Sequence, residues 1–169
     1  MLYIYLNENF QEYFFVIAII LLGCNNQSIQ SENSVFQPNR PLSELVDINE
    51  INFSNIDSAY LKRFNVWNPF IAVNTKLSRL TPQSNDHRSI LNSIKLDLQD
   101  INQNNIPYPF NKPEVIGRLR VVKTFIYKVN SYELNAVNLK IYEKDVIMVI
   151  ESYNAFVEKL NAFAEEAGP

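Results

Sequence analysis

One cysteine and one histidine, Cys24 and His87, are all the chain of 169 residues has of either type. That excludes a disulfide framework and nearly all metal sites built from thiolate and imidazole, so no metal is expected. Di-iron chemistry in a helical body needs Glu-x-x-His pairs, and no acid stands three residues before His87. Three glycines are too few for a phosphate-cradling loop, and no G-x-S-x-G elbow exists to seat a serine nucleophile beside the only histidine. Basic residues are not in excess either: 15 Lys and Arg face 18 Asp and Glu, a net charge of −3. No global field draws nucleic acid, and none is expected as a partner. What the chain does have is apolar mass, 47% of its residues, enough at this length for one core. The 23 asparagines are read as compositional bias with no mechanism attached.

No apolar run reaches the roughly 20 residues that cross a bilayer as a helix. The longest, Tyr13 to Cys24, has 12 and is followed by the polar run Asn25-Asn26-Gln27-Ser28. A short apolar stretch near the N-terminus that ends in small residues is the layout of an export signal. Met1 to Glu12 carries no Lys or Arg and two glutamates, Glu8 and Glu12. The sole cysteine sits at the end of the apolar stretch, and Leu21-Leu22-Gly23-Cys24 resembles the lipobox of bacterial lipoproteins. The resemblance covers about 24 of the 169 residues. It implies cleavage between Gly23 and Cys24, a diacylglyceryl thioether on the Cys24 sulfur, and a further acyl chain on its new amino group. The implied location is the bacterial cell envelope, on the outer rather than the inner membrane, with the body in the periplasm or at the cell surface. Loss of residues 1–23 removes two acids and no base, which leaves the mature chain at −1.

Residues 24–41 are polar, without sustained hydrophobic period, and read as a tether; residues 42–169 read as one helical domain. After a short helix over Leu42–Ile51, Ile56, Tyr60, Phe64, Trp67 and Ile71 open a helical face that Phe70, Val73, Leu77 and Leu80 continue. Pro69 either kinks this helix or occupies the first turn of a new one capped by Asn68. A second helix opens around Ser84 to Asp86 and places His87, Leu91, Ile94, Leu98 and Ile101 on one face. The linker Ile106 to Pro113 has three prolines in eight residues and is expected to be extended. A third helix starts near Pro113-Glu114, with Val115, Leu119, Val122, Ile126 and Val129 inside. The last runs Leu139, Tyr142, Val146, Val149, Tyr153, Phe156, Leu160 and Phe163 without a miss. The expected fold is all-α, an antiparallel up-and-down bundle of four main helices.

Five residues are candidate surface contacts: Tyr108, Phe110, Arg118, Arg120 and Lys123. The third helix is basic, with Lys112, Arg118, Arg120, Lys123 and Lys128 against Glu114. It reads either as a patch for anionic lipid, lipopolysaccharide or an acidic partner protein, or as a solvated face balanced by the acids of the last helix. Those acids are expected on polar faces. Arg118 falls inside the apolar arc, so its stem is expected against Tyr153 and its guanidinium on carbonyls of Ile106 to Phe110. Tyr108 and Phe110 are aromatics in a linker, and either cap the core or present a recognition surface.

The reading that follows is a lipid-anchored envelope protein that binds or scaffolds without catalysis and without a cofactor. Its partners are the membrane, through the lipid on Cys24, and an envelope protein. The alternatives are an enzyme using carboxylates or a bound cofactor in the helical body, and a membrane protein with an uncleaved N-terminal helix.

Overall fold

A computed structural model describes residues 40–168. The expected signal with Gly23 and Cys24, and the expected tether up to residue 39, lie outside the described residues. Within them the chain is all-helical: five α-helices, three 3-10 turns before the first of them and one before the fourth, and no strand. The helices are α1 (Leu61–Phe64), α2 (Asn68–Leu77), α3 (His87–Asp100), α4 (Pro113–Asn130) and α5 (Leu139–Glu166). None is long and apolar enough to cross a membrane.

Each apolar face of the three long helices becomes core. Leu91, Ile94 and Leu98 of α3, Val115 to Val129 at helical spacing on α4, and Tyr142 to Phe163 on α5 are buried in one cluster. α2 packs on α3, α3 on α4, and α4 on α5. Trp67, Phe70 and Phe156 meet at the centre, with the Phe156 ring edge-on to both partners at 6.4 and 5.8 Å.

The N-terminal part departs from expectation. The helix read over Leu42–Ile51 is two 3-10 turns, Leu42–Glu44 and Ile48–Glu50. The one begun at Ile56 does not start there: residues 51–57 form no regular element, and only a 3-10 turn, Ser58–Tyr60, leads into the four-residue α1. The break before α2 leaves Pro69 in that helix's first turn, where a missing N–H costs nothing.

What holds residues 52–57 in place lies a hundred residues away on α5. Asn154 accepts from the Ser54 N–H at 2.7 Å and donates to the Asn52 carbonyl at 2.7 Å. Asn161 repeats this on the Asp57 N–H at 3.0 Å and the Asn55 carbonyl at 2.9 Å. Phe53 packs edge-on against Tyr153 at 5.9 Å. Arg63 then donates to the Ala167 and Gly168 carbonyls, a cation at the negative end of the α5 dipole.

Candidate functional site

The turn before α3 is pinned by Ser84. Its hydroxyl accepts from the Thr81 N–H and donates to the Arg79 carbonyl, both at 2.9 Å, while its own carbonyl accepts from the Leu42 N–H. This fixes where α3 begins and sets its first residue, His87, into the core at 0% exposure. Neither ring nitrogen makes a hydrogen bond of good geometry. Burial holds the imidazole below its usual pKa, opposed in part by the Ser84 backbone.

Facing it, from the first turn of α5, is Tyr142, with ring centroids 6.0 Å apart. Tyr142 is 1% exposed and its hydroxyl has no partner. Burial pushes that hydroxyl's pKa up to about 12, and the nearby Arg88 charge opposes the rise. A buried donor left unmet costs about 1–3 kcal/mol, so this end of the core is less stable than an apolar one of the same shape.

Next to this pair the α4–α5 turn closes on an acid. Asp145 is 3% exposed and accepts from Lys128 Nζ at 2.8 Å and from the Tyr132 hydroxyl at 2.5 Å. Those hydrogen bonds raise the pKa of both Lys128 and Tyr132. The expectation that acids of the last helix lie on polar faces therefore fails at Asp145: two donors from α4 and its turn compensate its desolvation. Its position three residues after Tyr142, in phase with the stripe, was the sequence trace of this.

Between α3, the end of α4 and the start of α5 runs a cleft of about 300 Å³, lined by Arg88, Ser89, Leu91, Asn92, Val129, Asn130 and Tyr142. Arg88 donates to the Tyr132 carbonyl at 3.1 Å. Asn130 donates to the carbonyls of Leu91 at 3.0 Å and Ile126 at 2.7 Å, joining α4 to α3. Asn130 thereby spends its amide nitrogen and keeps its carbonyl oxygen. No acid lines the cleft.

The candidate contacts read from sequence do not assemble into one site. Arg120 and Lys123 line a smaller cleft of about 160 Å³ with Ile101, Ile106 and Ile116. Lys123 donates to the Ile101 carbonyl just past the end of α3, and burial lowers its pKa. Tyr108 is 70% exposed, elsewhere, beside Lys112, Phe163 and Glu166. Phe110 is no surface contact: at 0% exposure it stacks on Phe64 at 4.8 Å and on Trp67 at 5.9 Å, capping the core. Arg118 is exposed and neither packs on Tyr153 nor reaches the linker. The edge of the α4 arc faces solvent there, as the half-buried Phe125 beside it also shows. The Tyr153 hydroxyl donates instead to Asn74 of α2. Among the described residues no group of three His, Cys, Asp or Glu side chains is placed to hold a metal ion.

No protein-family description, no curated protein and no solved structure matches the chain.

Proposed function

We propose that the chain is a lipid-anchored cell-envelope protein, held to the membrane through Cys24, whose helical body binds or scaffolds rather than catalyses. The observation that carries the anchor is the placement of the only cysteine at the end of a 12-residue apolar stretch, in Leu21-Leu22-Gly23-Cys24. Two or more acyl chains on that residue make attachment stable where a single chain would not, since each buried methylene contributes about 0.8 kcal/mol. The body is taken as an antiparallel up-and-down bundle whose four main helices are α2 to α5. Packing of each of these on the next in sequence supports that arrangement. The binding role is supported by the cleft beside Arg88, a concavity with a cation and amide groups in its wall.

The test is metabolic labelling with a fatty acid, followed by mass spectrometry of the membrane fraction. The wild-type chain takes up label and begins at Cys24; Cys24→Ser gives an unlabelled precursor or a body lost from the membrane. A Cys24→Ser protein processed and membrane-bound as before would overturn the anchor.

A further inference from the structure

In the cleft beside Arg88 donors outnumber the acceptors they have found. The Tyr142 hydroxyl is buried and unmet. The Arg88 guanidinium spends one N–H on the Tyr132 carbonyl, and four more remain of its five. Arg88 and Tyr142 line the same cleft, and no acid lines it to neutralise the guanidinium. The missing complement is an acceptor carrying negative charge. A single guanidinium offers one planar fork, which matches the two oxygens of a carboxylate; a phosphate, with close to two charges, calls for more than one cation. Asn130 adds the opposite polarity, an amide oxygen with no donor, at the same wall. A volume of about 300 Å³ is at the lower end of small-molecule sites, the scale of a small organic acid.

We propose that this cleft is a binding site for a small organic carboxylate. The carboxylate pairs with Arg88 and, on entering, takes as its second donor the Tyr142 hydroxyl, which is closed to solvent in the structure; the Asn130 oxygen takes an N–H or O–H from the rest of the ligand. This rests on the binding half of the reading above and is independent of the anchor.

Benzoate is the probe, and its neutral isostere benzamide the control, titrated calorimetrically into the full chain in detergent. Benzoate binds with Kd of about a millimolar, and benzamide at least about tenfold more weakly. Arg88→Met and Tyr142→Phe each weaken benzoate by about tenfold or more. Tyr142→Phe keeps the ring and removes only the unmet donor, so its Tm holds or rises; a loss of affinity there is not a loss of fold. Inorganic phosphate binding more tightly than benzoate would overturn the ligand class. Benzoate binding no better than benzamide, or unchanged by both substitutions, would overturn the site. Cys24→Ser protein binds benzoate like wild type, so failure of the anchor and failure of this site are separately visible.

Discussion

Asn154 and Asn161 stand seven residues apart on α5, and each grips the backbone of residues 52–57 through one accepted and one donated hydrogen bond. Seven residues of helix advance about 10.5 Å. The two gripped sites, Asn52/Ser54 and Asn55/Asp57, are three residues apart, about 10 Å of extended chain. The advance of the helix matches the reach of three such residues, so two amides pair the backbone of a segment that has no strand beside it. They satisfy backbone groups that a helix over these residues would have paired internally.

Asn161→Ala should free the Asp57 amide and the Asn55 carbonyl to water at a cost of about 1 kcal/mol. Asn154→Ala should cost more than this, since Phe53 on Tyr153 depends on the same register. Amide hydrogen exchange checks both: Ser54 and Asp57 lose protection while Leu119 and Val122 of α4 keep theirs. Unchanged exchange at Ser54 in Asn154→Ala would show that apolar contacts alone hold the segment.

His87 should make the protein acid-sensitive. Its folded pKa is lowered by burial, so above pH 6.5 the ring is neutral both folded and unfolded and contributes nothing to the pH slope. As pH falls below 6.5 the unfolded chain takes up a proton that the folded one refuses, and stability declines until the folded pKa is reached. Denaturant midpoints measured from pH 7.5 to pH 5 should fall more steeply for wild type than for His87→Leu. Parallel slopes would place the acid sensitivity on other groups.

Phe156→Ala should cost about 3–5 kcal/mol, because the ring is enclosed by Trp67, Phe70 and Tyr153 and the helices around it cannot close the gap. Chemical denaturation of the variant at neutral pH measures it. A loss below about 1 kcal/mol would mean that this core collapses around the vacancy.

Asp145→Ala should destabilise by about 1 kcal/mol, through loss of the hydrogen bond that the Tyr132 hydroxyl donates to it, since Lys128 can turn to solvent. Arg118→Met should lie within about 0.5 kcal/mol of wild type, because its side chain is exposed. Together the two separate a buried charge from one that only seemed buried on a helical wheel. Equal losses in thermal denaturation would contradict that distinction.

The sequence by itself determined the helices that carry a complete apolar stripe. Helical phase is local: residues three and four apart share a face whatever the helix packs on. Val115 to Val129 and Tyr142 to Phe163 therefore go inside, and Pro113 opens its helix, as its fixed backbone angle favours. Tertiary structure decided the positions where a distant partner outweighed local pattern. Ile56 continues a helical period, yet its segment is no helix: Asn154 and Asn161, about a hundred positions on, bond its backbone. Two of the 23 asparagines thus have a mechanism that composition concealed. Phe110 is core only because Phe64 and Trp67 offer it a surface on which to stack. The cleft beside Arg88 draws its wall from three helices, and no single stretch of sequence holds its pattern. A hydrogen bond or a concavity depends on which groups meet, and that is settled when the helices pack.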